Sequence, residues 1–304
     1  MTTNIRLRSP YYIYKTQAGS SYATIEIKVN GGVIYTMTKN SQSNGSVAFE
    51  ISELIEDYID VVFFGSYTST TVDVETTVKF YNQDDVELDS YVDNFSGFDA
   101  YGEFKDGSNP IITPNALLQS NNIMYVPDNA TGFIPTESNG NILYNQFIGS
   151  DTSKTVSGHT VTINRVCEPK YDPIKITFVN KFGALQDLWF FKKMVKTLNT
   201  SKESFKRNIL SSSGSYSTFK HSKRTLNVVG NEIFTANTGF LDESMNEPFK
   251  ELMLSKQIWA TIDGIVYPIS VTSNKMQYKT SLNDKMVNFT MDFEYAYDTI
   301  NNIR

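Results

Sequence analysis

Two histidines and a single cysteine are the residues of this sequence best suited to metal binding or proton transfer. His159 and His221 have no carboxylate beside them at the spacing of a ligand set or a catalytic dyad, and Cys167 stands alone. A zinc site needs three or four ligands, and a nucleophilic relay needs a positioned base. We therefore expect surface or hydrogen-bonded histidines, a buried and apolar Cys167, and no metal or cofactor.

Carboxylate pairs are the second group of side chains that could do chemistry. Asp57 with Asp60, and Asp84 with Asp85, offer the residue types of a glycosidase site or a calcium site. Neither pair lies in an oxygen-rich loop with the ligand spacing that calcium requires. The sequence also contains no Walker loop and no glycine-flanked serine elbow. We expect these acids to be solvated turn residues and the protein not to be an enzyme.

The stretch from Lys192 to Arg224 is basic and rich in serine, and its apolar residues follow no sustained period. Basic groups near aromatic rings can dock onto an acidic protein surface, or follow a nucleic-acid backbone while the rings stack on bases. A solvated face without a partner is the third alternative. The cations interleave with the aromatic residues Phe190, Phe191, Phe205, Tyr216 and Phe219. The predicted partner-docking residues are Lys192, Lys193, Lys196, Lys206, Arg207, Lys220, Lys223 and Arg224.

Charge is divided unevenly along the 304 residues, although the net charge is only −6. Residues 1–150 carry 7 basic and 18 acidic side chains, and residues 165–230 carry 13 and 4. Residues 231–304 carry 6 and 10, and the short stretch between the first two regions balances. Opposite fields on one chain can steer copies of it head to tail, or attract a different partner at each end. Attraction between the two regions within one chain is the alternative.

The elements that position these residues are expected to be mostly strands. Aromatic residues make up 13% of the sequence, and aromatic and β-branched side chains fit a half-buried pleated surface. Alternation of apolar and polar residues predicts hairpins over 22–39 and 70–92, and helical spacing predicts a short amphipathic helix over 52–60. We predict that residues 1–100 form a β-sandwich of the immunoglobulin or fibronectin kind.

The strand pattern fails over residues 101–158, which contain four prolines and many Asn and Gly. Structureless connections of that length are uncommon within a compact domain. We predict a loop-rich connector or an arm that orders against neighbouring subunits, with a small β unit as the alternative.

Strand patterns resume at His159 and continue through residues 174–191, whereas residues 192–224 suggest an extended loop or a strand pair with an exposed basic face. Apolar residues at a spacing of three and four predict one helix within 241–255. Two further hairpins are predicted around Asp263-Gly264 and Asn283-Asp284.

The expected fold class is therefore mainly β, or α+β with few short helices. Two β-sandwich-like domains, residues 1–100 and 159–304, are joined by the loop-rich region over 101–158. The second domain carries the one helix.

Several blocks of the sequence resemble structural proteins from the tail and neck modules of phages of Bacteroidota, including crAss-like phages. The blocks are IKITFVNKFGALQDLWFFKK, SFKRN, FKELMLSKQIWATIDGIVYPISVTS and YKTSLNDKMVNFTMDFEYAYDTINNIR, with SPYYIY, IEIKVNGG and FEISELIEDYID near the start. These are packing patterns rather than catalytic signatures, so the resemblance carries over no site residues.

The resemblance implies a ring-forming structural subunit of the tail hub or of the neck or collar rings. Its partners would be further copies in a cyclic homo-oligomer and other tail or neck proteins, with non-specific contact to ejected DNA as an option. The expected location is the tail or neck of the virion after assembly in the host cytoplasm. No apolar stretch is long enough to cross a bilayer, so no membrane insertion is expected. The alternative is a carbohydrate-binding adhesin or receptor-binding tail fibre component, which a β-sandwich with many tyrosines would suit.

Overall fold

The computed structural model describes residues 2–276 and 286–300 and shows a mainly β protein with two short α-helices. The predicted fold class is confirmed. Helix α1 spans Ser52–Glu56 and helix α2 spans Asn246–Leu254. Neither helix of this described part of the chain has the length and hydropathy needed to cross a membrane.

Eight strands lie in the amino-terminal part of the chain. They are β1 (Thr3–Arg6), β2 (Tyr12–Thr16), β3 (Tyr22–Val29), β4 (Gly32–Asn40), β5 (Ser46–Glu50), β6 (Thr71–Tyr81), β7 (Glu87–Phe98) and β8 (Ile111–Ile112). Six of them form one sheet in the order β4-β3-β6-β7-β1-β8, which is antiparallel except for the β1–β7 pair. The predicted hairpins β3–β4 and β6–β7 are confirmed.

A short antiparallel ribbon of β2 and β5 covers one face of the six-stranded sheet. Alternation along the strands turns Ile25 and Val78 of the sheet towards Ile13 and Phe49 of the ribbon, and all four side chains are buried. Helix α1 ends at Glu56, earlier than predicted, and Tyr58, which helical spacing would place on the apolar face, is exposed.

Five strands form a small β unit in the middle of the chain. They are β9 (Ile123–Pro127), β10 (Gly132–Ser138), β11 (Asn141–Phe147), β12 (Ser153–Val156) and β13 (His159–Val166). β10 and β11 form a hairpin, and β12-β13-β9 form a sheet in which β13 and β9 are parallel.

Most of residues 101–158 thus lie in or around this β unit, which has its own buried core. The guanidinium of Arg165 donates hydrogen bonds to the backbone carbonyls of Ala130 and Asp151, at 2.6 and 3.1 Å, and so ties the loops to β13. β13 begins at His159 as expected, but it pairs with β9 and β12 rather than with the carboxy-terminal strands. Periodicity along one strand does not reveal which strand lies beside it.

Seven strands form the carboxy-terminal sheet in the order β15-β14-β18-β19-β20-β17-β16. They are β14 (Ile174–Val179), β15 (Leu185–Phe190), β16 (Val195–Lys206), β17 (Lys223–Asp242), β18 (Ile258–Ile262), β19 (Ile265–Val271) and β20 (Met286–Tyr295). The predicted hairpins β14–β15 and β18–β19 are confirmed, and the hairpin predicted around Asn283-Asp284 lies outside the described residues.

Helix α2 packs on this sheet through aromatic rings. Phe249 stacks on Phe289 with centroids 4.0 Å apart and meets Phe190 edge-on at 5.8 Å. The predicted helix is confirmed, and Phe249 and Leu252 are buried, as the spacing requires.

A charged junction joins the six-stranded sheet to the seven-stranded sheet; we define it as residues 99–106. The Glu103 carboxylate accepts hydrogen bonds from Lys250 of α2 at 2.9 Å and from Lys181 of the β14–β15 turn at 3.3 Å. The backbone N–H of Tyr101 donates to the Lys181 carbonyl at 3.0 Å. Gly183 leaves the space for this contact, because a Cβ there would lie 3.0 Å from backbone atoms of Asp99.

The junction shifts the proton affinities of its two central carboxyls in opposite directions. Hydrogen bonds from Lys105, Lys250 and Lys181 lower the pKa of Glu103 to about 2. Burial raises the pKa of Asp99 to about 6, although Arg8 lies 4.0 Å away. Glu103 therefore stabilises the fold as an anion, whereas ionised Asp99 costs stability.

The substitution Glu103→Gln is expected to lower the free energy of unfolding by about 1 kcal/mol at neutral pH, because three lysine ammonium groups lose their anionic partner. A lowered pKa gives stability that is present above the unfolded value of about 4.3 and is lost as the pH falls towards 2. The difference from wild type, measured by urea unfolding across that pH range, should therefore shrink. The exposed Glu53→Gln is the control, and equal effects of both variants would contradict the role of the junction.

Candidate functional site

Strands β16 and β17 project beyond the seven-stranded sheet. β17 pairs with β20 only from Ile233 onward, so among the described residues 223–229 pair with β16 alone. Every residue of β16 is exposed. We call residues 195–229 the projecting hairpin. For the basic stretch 192–224 the sequence predicted either an extended loop or a strand pair, and the strand pair is confirmed.

Lys192 and Lys193 of the predicted docking set precede the projecting hairpin rather than lying on it. The Lys192 ammonium forms a 2.6 Å ion pair with Glu168, whose pKa it lowers. The alkyl chain of Lys192 lies against Gly239, where a Cβ would come within 2.9 Å of it. Lys192 thus helps to anchor the base of the hairpin, and Lys193 is exposed beside it.

The other predicted cations lie on the projecting hairpin, and most of them cluster at its far end. Lys206 stands opposite Lys223 in the register, and Arg224 stands opposite Phe205. Arg207 follows directly, and its N–H donates to the Ser222 carbonyl at 2.8 Å. Among the described residues no carboxylate lies within ion-pair distance of these cations. Like charges placed opposite one another destabilise a strand pair, so an anionic partner would stabilise this end.

The remaining two predicted residues extend the charged surface in both directions. Lys196 lies near the base of β16, opposite the buried Phe234. Lys220 lies in the connecting loop, where its N–H bonds to the Ser217 carbonyl. The cations therefore form a band from the base of the hairpin to its tip.

The projecting hairpin also exposes large apolar side chains. Phe205, Tyr216 and Phe219 are exposed, with Phe219 at 80%. The expectation that Phe190 and Phe191 belong to this surface is wrong, because both are fully buried in the sheet core. The sequence interpretation missed Leu198, Leu210 and Leu226, which are exposed as well. Their exposure could have been predicted, because these leucines lie in a serine-rich stretch whose apolar residues follow neither the spacing of a strand nor that of a helix.

This combination of groups is suited to docking rather than to catalysis. A two-stranded ribbon with two solvent-facing sides is marginally stable by itself. Exposed leucine and aromatic rings gain free energy only when a partner covers them. Cations around the rings favour a partner of opposite charge and supply a fast, salt-sensitive encounter.

The other candidates for chemistry remain scattered. Within residues 2–276 and 286–300 no three His, Cys, Asp or Glu side chains are grouped as a metal site. His159 and His221 are exposed. The expectation of a buried Cys167 is wrong, because its thiol is exposed directly after the end of β13 at Val166. A hydrogen bond to Asp128 raises the pKa of this thiol.

The two carboxylate pairs are solvated, as expected. Asp57 and Asp60 are exposed after α1. Asp84 and Asp85 are exposed in the β6–β7 turn, and Asp85 accepts a hydrogen bond from the Tyr22 hydroxyl at 2.8 Å.

A half-buried polar cluster around Tyr67 is the arrangement that most resembles an active site. The Tyr67 hydroxyl donates to Asp187 at 2.5 Å and accepts from Lys175 at 3.1 Å, and Thr177 donates to the same carboxylate. Burial strongly raises the pKa of Tyr67. The ring is also packed against Phe133 of β10 at 4.4 Å. Because its polar partners lie on β14 and β15, the cluster fastens residues 61–67 to the carboxy-terminal sheet.

Trypsin is expected to cut within 202–224 before it cuts after Lys175 or Lys181, because the hairpin is exposed and held by only one strand pair. The digestion should use dilute protein in high salt, because high salt weakens charge-mediated contacts between copies and keeps the hairpin uncovered. Mass spectrometry of a digestion time course identifies the cuts. Simultaneous cleavage at all these sites would show that the hairpin is no more open than the sheet.

Comparison with known protein families, curated proteins and solved structures gives no match. The function of the chain must therefore be inferred from its own geometry, and above all from the projecting hairpin.

Proposed function

We propose that this protein is a structural subunit of an oligomeric assembly and that the projecting hairpin docks onto a neighbouring subunit. In its specific form, the proposal is a bacteriophage virion subunit in the tail hub or in the neck or collar rings. The observation that carries it is a twelve-residue edge strand, β16, with every residue exposed.

Charge supports docking between protein subunits. The cations of the projecting hairpin have no carboxylate partners among the described residues, whereas residues 1–150 carry 18 acidic and 7 basic side chains. A ring uses contacts in which one face meets a different face of the next copy, and opposite charge on two faces favours such contacts.

Open strand edges support the same role. β4 and β16 are both edge strands, and both are almost entirely exposed. An open edge can accept main-chain hydrogen bonds from another chain, which turns an aggregation hazard into a specific contact. The proposed assembly would thus cover surfaces that a monomer leaves in water.

The virion assignment follows from the resemblance of the sequence blocks to phage tail and neck proteins. Under it, further copies and other tail or neck proteins are the partners, in the virion after assembly in the host cytoplasm. The chemistry required is packing and charge pairing, so the proposal assigns no catalytic role.

The proposal predicts that the full chain forms a discrete oligomer that dissociates as the salt concentration rises. Combined Lys206→Glu, Arg207→Glu and Lys223→Glu reversal should weaken the association at least about tenfold, since attractive pairs become repulsive. Mass photometry over a dilution series measures both effects.

A matched triple reversal at Lys154, Lys170 and Lys275, which lie outside the projecting hairpin and outside β4, is the control and should leave the association unchanged. Monomers alone, with no association when the protein is combined with other tail and neck proteins, would contradict the proposed function.

Contact with DNA gives a different result in the same variants. A DNA-facing hairpin would bind duplex DNA with an affinity that falls steeply with salt, and the triple reversal would flatten that slope. If the triple variant still forms oligomers but no longer binds DNA, the hairpin contacts DNA and not a neighbouring subunit.

A carbohydrate-binding adhesin is the second candidate, favoured by one observation. Tyr12 and Tyr14 lie side by side on the exposed face of β2, with ring centroids 6.0 Å apart. Such rings can form a platform for a sugar. Binding of the full chain to a glycan array, lost on Tyr14→Ala, would support this role, and no binding would remove it.

A further inference from the structure

Phe104 is the most exposed large apolar side chain of the described chain. It lies on a single 3-10 turn, Phe104–Asp106, within the junction. A ring in open solvent contributes nothing to the stability of its own chain, so its surface is available to a partner.

The turn that carries Phe104 is held rigidly. The Asp106 carboxylate accepts the Glu103 N–H at 2.9 Å, and Glu103 binds three lysine ammonium groups. Asp106 also lies 3.4 Å from Lys181 and 3.8 Å from Arg6. An aromatic side chain on a fixed backbone turn loses only its own rotamer freedom on binding, which suits an interface anchor.

Phe104 forms one wall of a groove with an aromatic chamber and an acidic chamber. The aromatic chamber has a volume of about 410 Å³ and includes Pro10, Tyr12 and Pro110. The acidic chamber, of about 370 Å³, shares Ser9, Pro10 and Tyr12 with it. We call the two chambers together the Phe104 groove.

The groove has fixed walls. Asn109 accepts a hydrogen bond from the Tyr12 N–H and donates one to the Tyr12 carbonyl, both at 2.8 Å. This pair of bonds fastens β2 to the loop that follows Phe104. The groove is therefore formed before any partner arrives.

The acidic chamber is lined by Glu50, Glu53 and Glu56. Arg8 also lines it, but its guanidinium donates to the Leu254 carbonyl and lies near Asp99. Glu56 is paired with Lys256, and Glu50 accepts hydrogen bonds from the N–H and hydroxyl of Ser52. Glu53 is exposed. The surrounding stretch, residues 40–78, contains seven acidic and no basic side chains.

The tip of the projecting hairpin offers complementary groups. It presents the exposed rings of Tyr216 and Phe219 beside Lys206, Lys220 and Lys223. Rings match the aromatic chamber, and cations match the acidic one. The hairpin of the same chain does not fill the groove, because its β16 strand and Phe104 are both exposed.

We propose that the tip of the projecting hairpin of one copy docks into the Phe104 groove of a second copy. This inference rests on the proposed assembly function and names the surface on the neighbour. The two surfaces belong to different sheets, so the contact is head to tail. In a docked pair, one copy keeps a free hairpin and the other copy keeps a free groove. Such a contact builds rings or filaments.

The test uses Phe104→Asp in the full chain, with Phe64→Asp as the matched control, since Phe64 is exposed but lies outside the groove. Phe104→Asp should weaken self-association at least about 30-fold, as expected for an anchor residue. Thermal unfolding of dilute, monomeric protein in high salt should be the same for both variants and the wild type, because neither ring is buried within the chain. This measurement separates lost docking from lost folding.

Mixing two defective variants gives the sharper readout. Phe104→Asp keeps an intact hairpin, and the triple Glu reversal of Lys206, Arg207 and Lys223 keeps an intact groove. Their mixture should give a species of twice the 34.4 kDa chain mass and nothing larger, since only one contact per pair is possible. A photo-crosslinker in place of Phe104 should attach to residues 205–224 of another chain.

Wild-type self-association retained in Phe104→Asp, or crosslinks to other regions, would overturn this inference. The proposed function would survive that result as long as the hairpin reversal still disrupts assembly. The inference would also be overturned if the Phe104 groove binds a glycan or another protein and Phe104→Asp leaves self-association unchanged. The occupant of the groove would then not be the hairpin of a second copy.

Discussion

The charged junction at residues 99–106 is the constraint on which the rest of the structure depends. Glu103 collects ammonium groups from α2 and from the β14–β15 turn, and Tyr101 adds a backbone hydrogen bond to the same turn. Two sheets with separate cores are thereby fixed to one another. The buried Glu251 of α2 reinforces the contact by accepting hydrogen bonds from Ser120 and the Lys181 N–H.

The junction also determines how the two proposed docking surfaces are presented. The turn that Glu103 and Asp106 hold in place carries Phe104 on its outer side. The seven-stranded sheet that the junction anchors carries the projecting hairpin at its opposite edge from β15. One rigid chain therefore displays a cationic, aromatic projection and an acidic, aromatic groove, which is the arrangement a head-to-tail assembly needs.

Local features of the fold could be predicted from the sequence, and long-range ones could not. The β3–β4 hairpin and helix α2 follow from patterns within a few residues, because turn chemistry and periodicity act locally. The parallel pairs β1–β7 and β13–β9 depend on partners far along the chain. The sequence interpretation placed Phe190 and Phe191 beside the surface cations for the same reason, since their burial depends on α2 and β20.

The candidate site was predicted in composition but not in shape. The cations between Lys206 and Arg224 stood out by type, and the strand pair was one of two options. Phe104 carried no local signal except a ring within a glycine-rich and polar loop, and its groove depends on Asn109 binding Tyr12. Charge and composition thus lead to the proposal that the chain docks, whereas the proposed docking surface is defined only by the folded contacts.

A cryo-electron microscopy map of the assembled full chain is the most direct measurement of whether the projecting hairpin is an assembly device. If the hairpin is such a device, residues 195–229 should have ordered density against a neighbouring subunit. A map in which the hairpin extends into solvent, or folds back on its own chain, while subunits contact one another elsewhere would contradict it.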